Sequence, residues 1–143
     1  MADLGIDPRV AAVLEANGIQ KLYPPQEEAW GAIKTGKNTV VAIPTASGKS
    51  LLAYLAILHR WLATGKKSLY IVPLRALASE KFEELQQFRS IGLTVGIATG
   101  DLDDKDPKLG RYDVIVCTSE KADALLRHRT SWMDDIGCVV ADE

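Results

Sequence analysis

A Gly-Lys-Ser turn between an apolar run and an apolar helix constrains this chain more than any other feature. The residues at positions 40–51 read VVAIPTASGKSL. In a phosphate-binding loop of this kind, backbone N–H groups and the positive end of the helix dipole face the phosphates. A lysine reaches the outer phosphates and a hydroxyl ligates magnesium, and Lys49 and Ser50 match those two roles. The usual pattern has Gly where this chain has Ile43, so a chance turn is the alternative.

The flanks of the turn favour nucleotide binding over a chance match. A phosphate-binding loop has to follow a strand and open a helix. Asn38 to Ala42 is β-branched and apolar, which predicts a strand. Leu51 to Ala63 contains no Gly or Pro, which predicts a helix. We therefore predict that the chain binds a nucleotide at this turn.

Composition limits the class of protein and the setting in which it works. The chain has 143 residues, of which 47% are hydrophobic and 25% charged, as expected for one globular domain with a sizeable core. Its formal charge of −2 predicts that any nucleic-acid contact comes from a local surface rather than from net charge. Cys117 and Cys138 lie in apolar runs, which predicts buried free thiols in a reducing cytoplasm. The longest apolar segment is too short to span a bilayer, and no signal peptide is evident.

Short apolar strands alternate with helices along the chain. The predicted strands are Asn38–Ala42, Ser68–Val72, Leu93–Ala98, Asp113–Cys117 and Gly137–Ala141. Helices are predicted to begin at Asp7-Pro8, near Gln26, at Leu51, near Leu74 and after Thr118. This alternation is typical of an α/β fold, a three-layer parallel β-sheet with helices on both faces. The loops at the carboxyl ends of the strands would form the binding edge.

An acidic pair follows the last predicted strand. Asp142 can hold magnesium through water, and Glu143 can orient and deprotonate the attacking water in nucleotide hydrolysis. An acidic pair at this position is otherwise simply solvated. The phosphate loop in the same sheet favours the functional interpretation.

With these motifs in place, the chain resembles the first motor domain of superfamily 2 helicases, a P-loop NTPase of the RecA-like fold. The segments Val-Pro-Leu-Arg-Ala-Leu-Ala and Thr-Ser-Glu-Lys-Ala-Asp resemble the Ski-like DExH branch, most closely the archaeal Hjm-type DNA repair helicases. The resemblance runs from Leu22 to Glu143, and this branch tolerates a bulky residue at Ile43. It implies a helical lead-in over residues 1–20 and an ATP-binding domain over 21–143 that is truncated after the Asp-Glu motif.

The resemblance implies a role for each matching residue, with ATP and Mg²⁺ as cofactors. Gln26 would recognise adenine, although a helix-start glutamine facing solvent is the alternative. The phosphate loop would comprise Thr45, Ala46, Ser47, Gly48, Lys49 and Ser50. Ser50 and Asp142 would hold magnesium, and Lys49, Asp142 and Glu143 would be catalytic. The nucleic-acid contacts would be Pro73, Arg75, Thr99, Gly100, Asp101, Thr118, Ser119 and Lys121, of which Arg75 could instead be an ordinary surface charge.

Other conspicuous side chains are expected to be structural. The acidic residues Asp101, Asp103, Asp104 and Asp106 are expected to form a solvated loop rather than a calcium site. His59 and His128 have no partner pattern that would indicate a metal site. The three tryptophans are expected to fill the core or an interface.

The function predicted from these features is that of an ATP-dependent DNA helicase acting in repair. Its expected partners are single-stranded and forked DNA and the remaining motor and accessory domains of the same chain. An RNA helicase of the same branch and a non-catalytic nucleotide-binding module are the alternatives. Because hydrolysis in this class occurs between two motor domains, these residues alone are expected to bind nucleotide weakly and not to unwind DNA. We also expect an unpaired sheet edge after Glu143.

Overall fold

The computed structural model describes residues 2–42, 46–99, 107–127 and 131–142. The α-helices are α1 Pro8–Ala16, α2 Pro24–Ile33, α3 Ala46–Thr64, α4 Arg75–Leu85 and α5 Ser119–Arg127. The strands are β1 Lys67–Val72, β2 Val95–Ala98, β3 Val114–Thr118 and β4 Ile136–Ala141. Short 3-10 helices cover Ala2–Leu4, Gln86–Ile91, Pro107–Arg111 and Ser131–Asp135.

Local chemistry sets the ends of helix α1, as the sequence predicts. The Asp7 carboxylate accepts a hydrogen bond of 2.8 Å from the backbone N–H of Arg9, and Pro8 occupies the first helical position. The chain leaves the helix through Asn17 and Gly18, and Gly18 has a φ of 87°. A left-handed residue just past a helix is a common way to stop it, because glycine adopts that conformation without strain.

The four strands form one parallel sheet in the order β2-β3-β1-β4. The register pairs Val72 with Thr118 and Ile71 with Ala141. Because every pair is parallel, the carboxyl ends of all four strands meet at one edge of the sheet. The described residues that directly follow these strands, among them Pro73, Thr99, Ser119 and Asp142, lie at that edge.

Helical segments cover both faces of the sheet, which confirms the predicted three-layer architecture. Alternate residues of a strand point to opposite faces, and two hydrophobic clusters follow this alternation. Tyr70 and Val72 pack with α1, α2, α3 and α4 on one face. Leu69 and Cys117 pack with α5 and with Leu109 on the other face. The residues of the lead-in, including Val10 and Leu14, belong to the same core as α3.

The segment Asn38–Ala42 is not a strand, and that prediction is wrong. Val40 is 96% exposed, and none of the strand pairings includes residues 38–42. A strand is stabilised by hydrogen bonds to a neighbouring strand, so an apolar β-branched run cannot form one without a partner. Within the described ranges, β4 pairs with β1 on one side only. Its other side and Val41 line the same cleft.

The two cysteines are free thiols, as predicted, although only one is fully buried. Burial raises the pKa of the Cys117 thiol to about 12. Cys138 is half-buried, and burial also raises its pKa. Over the described ranges, we find no helix with both the length and the apolar character needed to cross a membrane.

The tryptophans and His59 have structural roles in the part of the chain that is described. Trp30 and Trp132 are buried and Trp61 is half-buried. The indole N–H of Trp30 donates a hydrogen bond of 2.7 Å to the carbonyl of Leu4, and His59 packs edge-on against the Trp30 ring. His128 and the acidic residues of 101–106 lie outside the described residues.

Candidate nucleotide site at the carboxyl edge of the sheet

The Gly-Lys-Ser residues lie in the first turns of helix α3. The helix begins at Ala46, so its first N–H groups have no acceptor within the helix and carry the positive end of its dipole. Gly48, Lys49 and Ser50 are therefore placed where an anion would bind. Lys49 is half-buried and lines a cleft of about 820 Å³ between α3 and β4.

Gln26 lies against this turn from helix α2. Its side chain is only 6% exposed, so the alternative of a glutamine facing solvent is wrong. Its Oε1 accepts a hydrogen bond of 2.8 Å from the backbone N–H of Tyr23, and its Nε2 donates one of 3.4 Å to the Gly48 carbonyl. A Cβ added at Gly48 would lie 3.3 Å from the Gln26 Nε2, so the amide would have to move by a few tenths of an ångström to make room for it. The amide thus joins the start of α2 to the phosphate loop.

Asp142 follows strand β4 and is held from strand β1. Its backbone N–H donates to the Ile71 carbonyl at 2.9 Å, and its Oδ2 accepts a hydrogen bond of 2.8 Å from the Tyr70 hydroxyl. Burial first, and this hydrogen bond second, raise the pKa of Tyr70, while the Ser50 hydroxyl partly lowers it. The phenol therefore stays protonated and donates to the carboxylate throughout the neutral range.

A second group of polar side chains, from helices α3 and α4, lies next to Ser50. The Lys81 Nζ donates a hydrogen bond of 2.7 Å to the Ser50 Oγ and lies 3.8 Å from the Glu84 Oε2. The Tyr54 hydroxyl donates a hydrogen bond of 2.6 Å to the Glu84 Oε1. Burial first, and then the bond to Glu84, raise the pKa of Tyr54. Ser50 is thus the point where contacts from α3 and α4 meet.

The oxygen ligands at this edge fit a magnesium ion. A hydroxyl and one carboxylate are hard donors, and Mg²⁺ is usually bound by one or two protein oxygens together with waters and phosphate oxygens. Ser50 and Asp142 supply such a pair, and the Asp142 carboxylate accepts a hydrogen bond from the Tyr70 hydroxyl. Across the described part of the chain, no group of three or more His, Cys, Asp or Glu side chains could hold a metal alone.

The predicted nucleic-acid residues lie at the same edge with different exposures. Pro73 and Arg75 are exposed at the start of α4. Ser119 is also exposed, and its hydroxyl donates to the Val72 carbonyl at 3.3 Å. Thr99 is half-buried after β2. These residues can contact a ligand that runs along the strand ends.

Two residues of that set are buried instead. Thr118 is buried, and its hydroxyl accepts a hydrogen bond of 3.3 Å from the backbone N–H of Lys121. Lys121 is only 7% exposed. The position of its side chain argues against direct contact between its ammonium group and a phosphate backbone.

Several predicted residues cannot be placed. Thr45, Gly100, Asp101 and Glu143 lie outside the described residues, as do the side chains of Ala46 and Ser47. Sequence reasoning in turn missed four side chains of the site: Tyr54, Tyr70, Lys81 and Glu84. Lys81 could have been found, because it shares a helical stripe with the buried residues Ala78 and Leu85. A lysine on an apolar stripe indicates a buried polar partner.

Comparison with known proteins shows the family of the chain. The family model described as DEAD/DEAH box helicase matches residues 23–143. The ATP-dependent DNA helicase Hel308 of Pyrococcus horikoshii is 51% identical over 142 residues, which cover 99% of this chain and 20% of that protein. The protein of the same name from Thermococcus kodakarensis is 50% identical, covering 99% of this chain and 13% of its own. The chain therefore spans a fifth or less of these curated relatives.

Solved structures of helicases superpose on this chain. The DUF1998 helicase MrfA superposes with a TM-score of 0.83 and 28% identity, over 96% of this chain and 23% of its own. A DNA-bound structure of MrfA gives a TM-score of 0.77 at 29% identity, over 89% of this chain and 19% of that one. The fold, the phosphate turn and the family match agree, and the chain belongs to the DEAD/DEAH box helicase family.

Proposed function

We propose that this chain is the ATP-binding part of an ATP-dependent DNA helicase that translocates on single-stranded DNA and unwinds duplexes in DNA repair. The observation that carries the proposal is the contact of Gln26 with Gly48 at the start of α3, beside a cleft that Lys49 and Asp142 both line. The relatives at about half identity are named ATP-dependent DNA helicases, which supports the choice of DNA. In this proposal residues 21–143 form the first motor domain, and residues 1–20 are a lead-in packed on its core.

Gln26 is proposed to recognise the adenine base. Its amide already makes two contacts, but a primary amide has a second N–H and a second lone pair on the oxygen. Those remaining positions can donate to N7 and accept from N6 of adenine without release of Tyr23 or Gly48. Since the same amide contacts the phosphate turn, base and phosphates are held by one connected group of residues.

Lys49, Ser50 and Asp142 are proposed to hold the phosphates and a magnesium ion. Lys49 would neutralise charge on the outer phosphates, and the N–H groups at the start of α3 would hold the phosphates on the helix axis. Ser50 and Asp142 would ligate magnesium, which neutralises charge that develops in phosphoryl transfer. The Tyr70 hydroxyl fixes the orientation of the Asp142 carboxylate. By the family pattern, Glu143 would orient the attacking water.

The exposed and half-buried residues at the strand ends are proposed to contact the backbone of the tracked strand. Arg75 would supply charge, while Thr99 and Ser119 would supply hydroxyls. Contacts of this kind hold phosphates without reading sequence, as translocation requires. That MrfA was solved with DNA supports a nucleic-acid ligand for this fold.

The first test is magnesium-dependent ATP binding, measured by calorimetry on the full-length protein. Lys49→Ala should abolish ATP binding. Lys66→Ala, the matched control, should bind ATP as the wild type does. Lys66 is exposed and lies just past the opposite end of α3 from the phosphate turn. GTP should compete poorly because Gln26 is matched to adenine. Equal ATP binding by the wild type and Lys49→Ala would refute the proposed site.

The choice of polymer needs a separate measurement. ATP turnover by the full-length protein should rise on addition of single-stranded DNA and respond less to RNA of the same length. Stimulation by RNA alone would identify an RNA helicase of the same branch. Nucleotide binding without turnover in the presence of either polymer would instead indicate a non-catalytic module.

A further inference from the structure

Lys81 is a buried lysine that no motif assigned to the nucleotide site. It is 8% exposed, and its Nζ donates to the Ser50 Oγ at 2.7 Å. An ammonium group loses much of its hydration when buried, so it needs strong acceptors nearby. Its acceptors here are one neutral hydroxyl and, at 3.8 Å, the Glu84 carboxylate. The closer contact is thus to the very oxygen that the proposed function gives to magnesium.

An ammonium group and a metal ion on one hydroxyl oxygen repel each other. Ser50 has two lone pairs, but like charges that share one oxygen are close enough for strong repulsion in a partly buried site. The Lys81 ammonium therefore lies next to the position that a magnesium ion bound to Ser50 would occupy. The Glu84 carboxylate is the nearest described group that could accept the ammonium if it left Ser50.

Helix α4 links this contact to the strand edge. It begins at Arg75, the proposed backbone contact, and turns Ala78, Lys81 and Leu85 inward. Lys81 lies six positions after Arg75, so the two are less than two helical turns apart. A change in what Lys81 contacts would be transmitted to the residues that begin the helix.

We propose that Lys81 is a positioning residue that couples magnesium–nucleotide binding to the nucleic-acid edge. Its ammonium holds the Ser50 hydroxyl when no magnesium–nucleotide is bound and moves to Glu84 when the hydroxyl is needed as a ligand. This movement of the Lys81 side chain favours one of two positions of α4, and with it of Arg75: one without bound magnesium–nucleotide and one with it. This inference rests on the proposed function, because it needs Ser50 to be a magnesium ligand.

The test is a magnesium titration of fluorescent ATP-analogue binding to the full-length protein. Lys81→Met keeps the length of the side chain and removes the charge that competes with magnesium. It should lower the magnesium concentration for half-maximal binding roughly tenfold, a change typical of removing one nearby like charge. Lys81→Arg keeps the charge and should stay within about twofold of the wild type. A merely structural lysine would change stability without moving the magnesium midpoint.

Coupling to nucleic acid is measured by repeating the titration with single-stranded DNA. DNA should shift the magnesium midpoint of the wild type, and linkage requires magnesium–nucleotide to shift DNA affinity by the same factor. In Lys81→Met both shifts should disappear. Persistence of the full DNA-induced shift in this variant would overturn the coupling.

A second variant keeps the inference testable if Lys81→Met fails to fold. Glu84→Gln weakens the acceptor of the displaced ammonium but can still accept from Tyr54. It should raise the magnesium midpoint, the opposite direction from Lys81→Met. A midpoint unchanged in whichever variants fold overturns the inference. Failure of the proposed function gives a different result: the wild type and Lys49→Ala would then bind the ATP analogue equally.

Discussion

Replacing Tyr70 with phenylalanine should weaken the fold by removing one hydrogen bond. Tyr70 is fully buried, and its hydroxyl donates to the Asp142 carboxylate at 2.8 Å. Hydrogen bonds to charged groups contribute about 1.5–3 kcal/mol, and water can partly replace the lost donor because Asp142 is only half-buried. The ring keeps its place beside Tyr54, with centroids 6.1 Å apart, so little packing is lost. We expect the free energy of unfolding to fall by about 2 kcal/mol.

A double-mutant cycle with Asp142→Asn isolates this interaction in urea unfolding. Tyr70→Phe and Asp142→Asn should show a coupling energy of at least about 1 kcal/mol, because each removes part of the same bond. Tyr54→Phe is the matched control, since its hydroxyl donates to Glu84 instead. Combined with Asp142→Asn it should be additive within about 0.5 kcal/mol. Additivity of Tyr70→Phe with Asp142→Asn would refute the assigned contact.

Three further substitutions test other parts of the fold by urea unfolding. In Gly96→Ala the new Cβ would overlap the Tyr112 ring, which should destabilise the chain by about 1–3 kcal/mol; unchanged stability would contradict this close packing. Gly31→Ala, inside α2 with no atom near the new Cβ, should stabilise it by about 0.5–1 kcal/mol; destabilisation would contradict an open site. The Cys117 thiol stays protonated in the fold up to a pKa of about 12, against 9.0 ordinarily. Its stabilising contribution is therefore complete below pH 9 and falls as pH rises by at most about 1.4 kcal/mol per unit. Cys117→Ala should thus lose stability less steeply above about pH 9 than the wild type; equal slopes would refute the shift.

Periodicity in the sequence was enough to predict most of the fold. The start of α1 at Asp7-Pro8 and the apolar run that became β1 are both patterns of residues next to each other in the chain. The parallel direction of the strands followed from their alternation with helices, whereas their order in the sheet was not predicted. The failure at Asn38–Ala42 has a nonlocal cause, because a strand needs a partner that the sequence of the segment does not specify. The residue types of this segment are typical of a strand, but no described strand pairs with it.

The site shows the same division between local and nonlocal information. Gln26, Ser50 and Asp142 could be predicted because each belongs to a pattern that opens or follows an element. The partners of Tyr70 and Lys81 could not be predicted, since each side chain contacts a residue 31 or more positions away along the chain. The helical stripe of α4 shows only that Lys81 is buried. Both approach the proposed magnesium ligands from elements that lead to the nucleic-acid edge. If the proposed couplings hold, the residues that connect the two ligand sites are those that local motifs leave out.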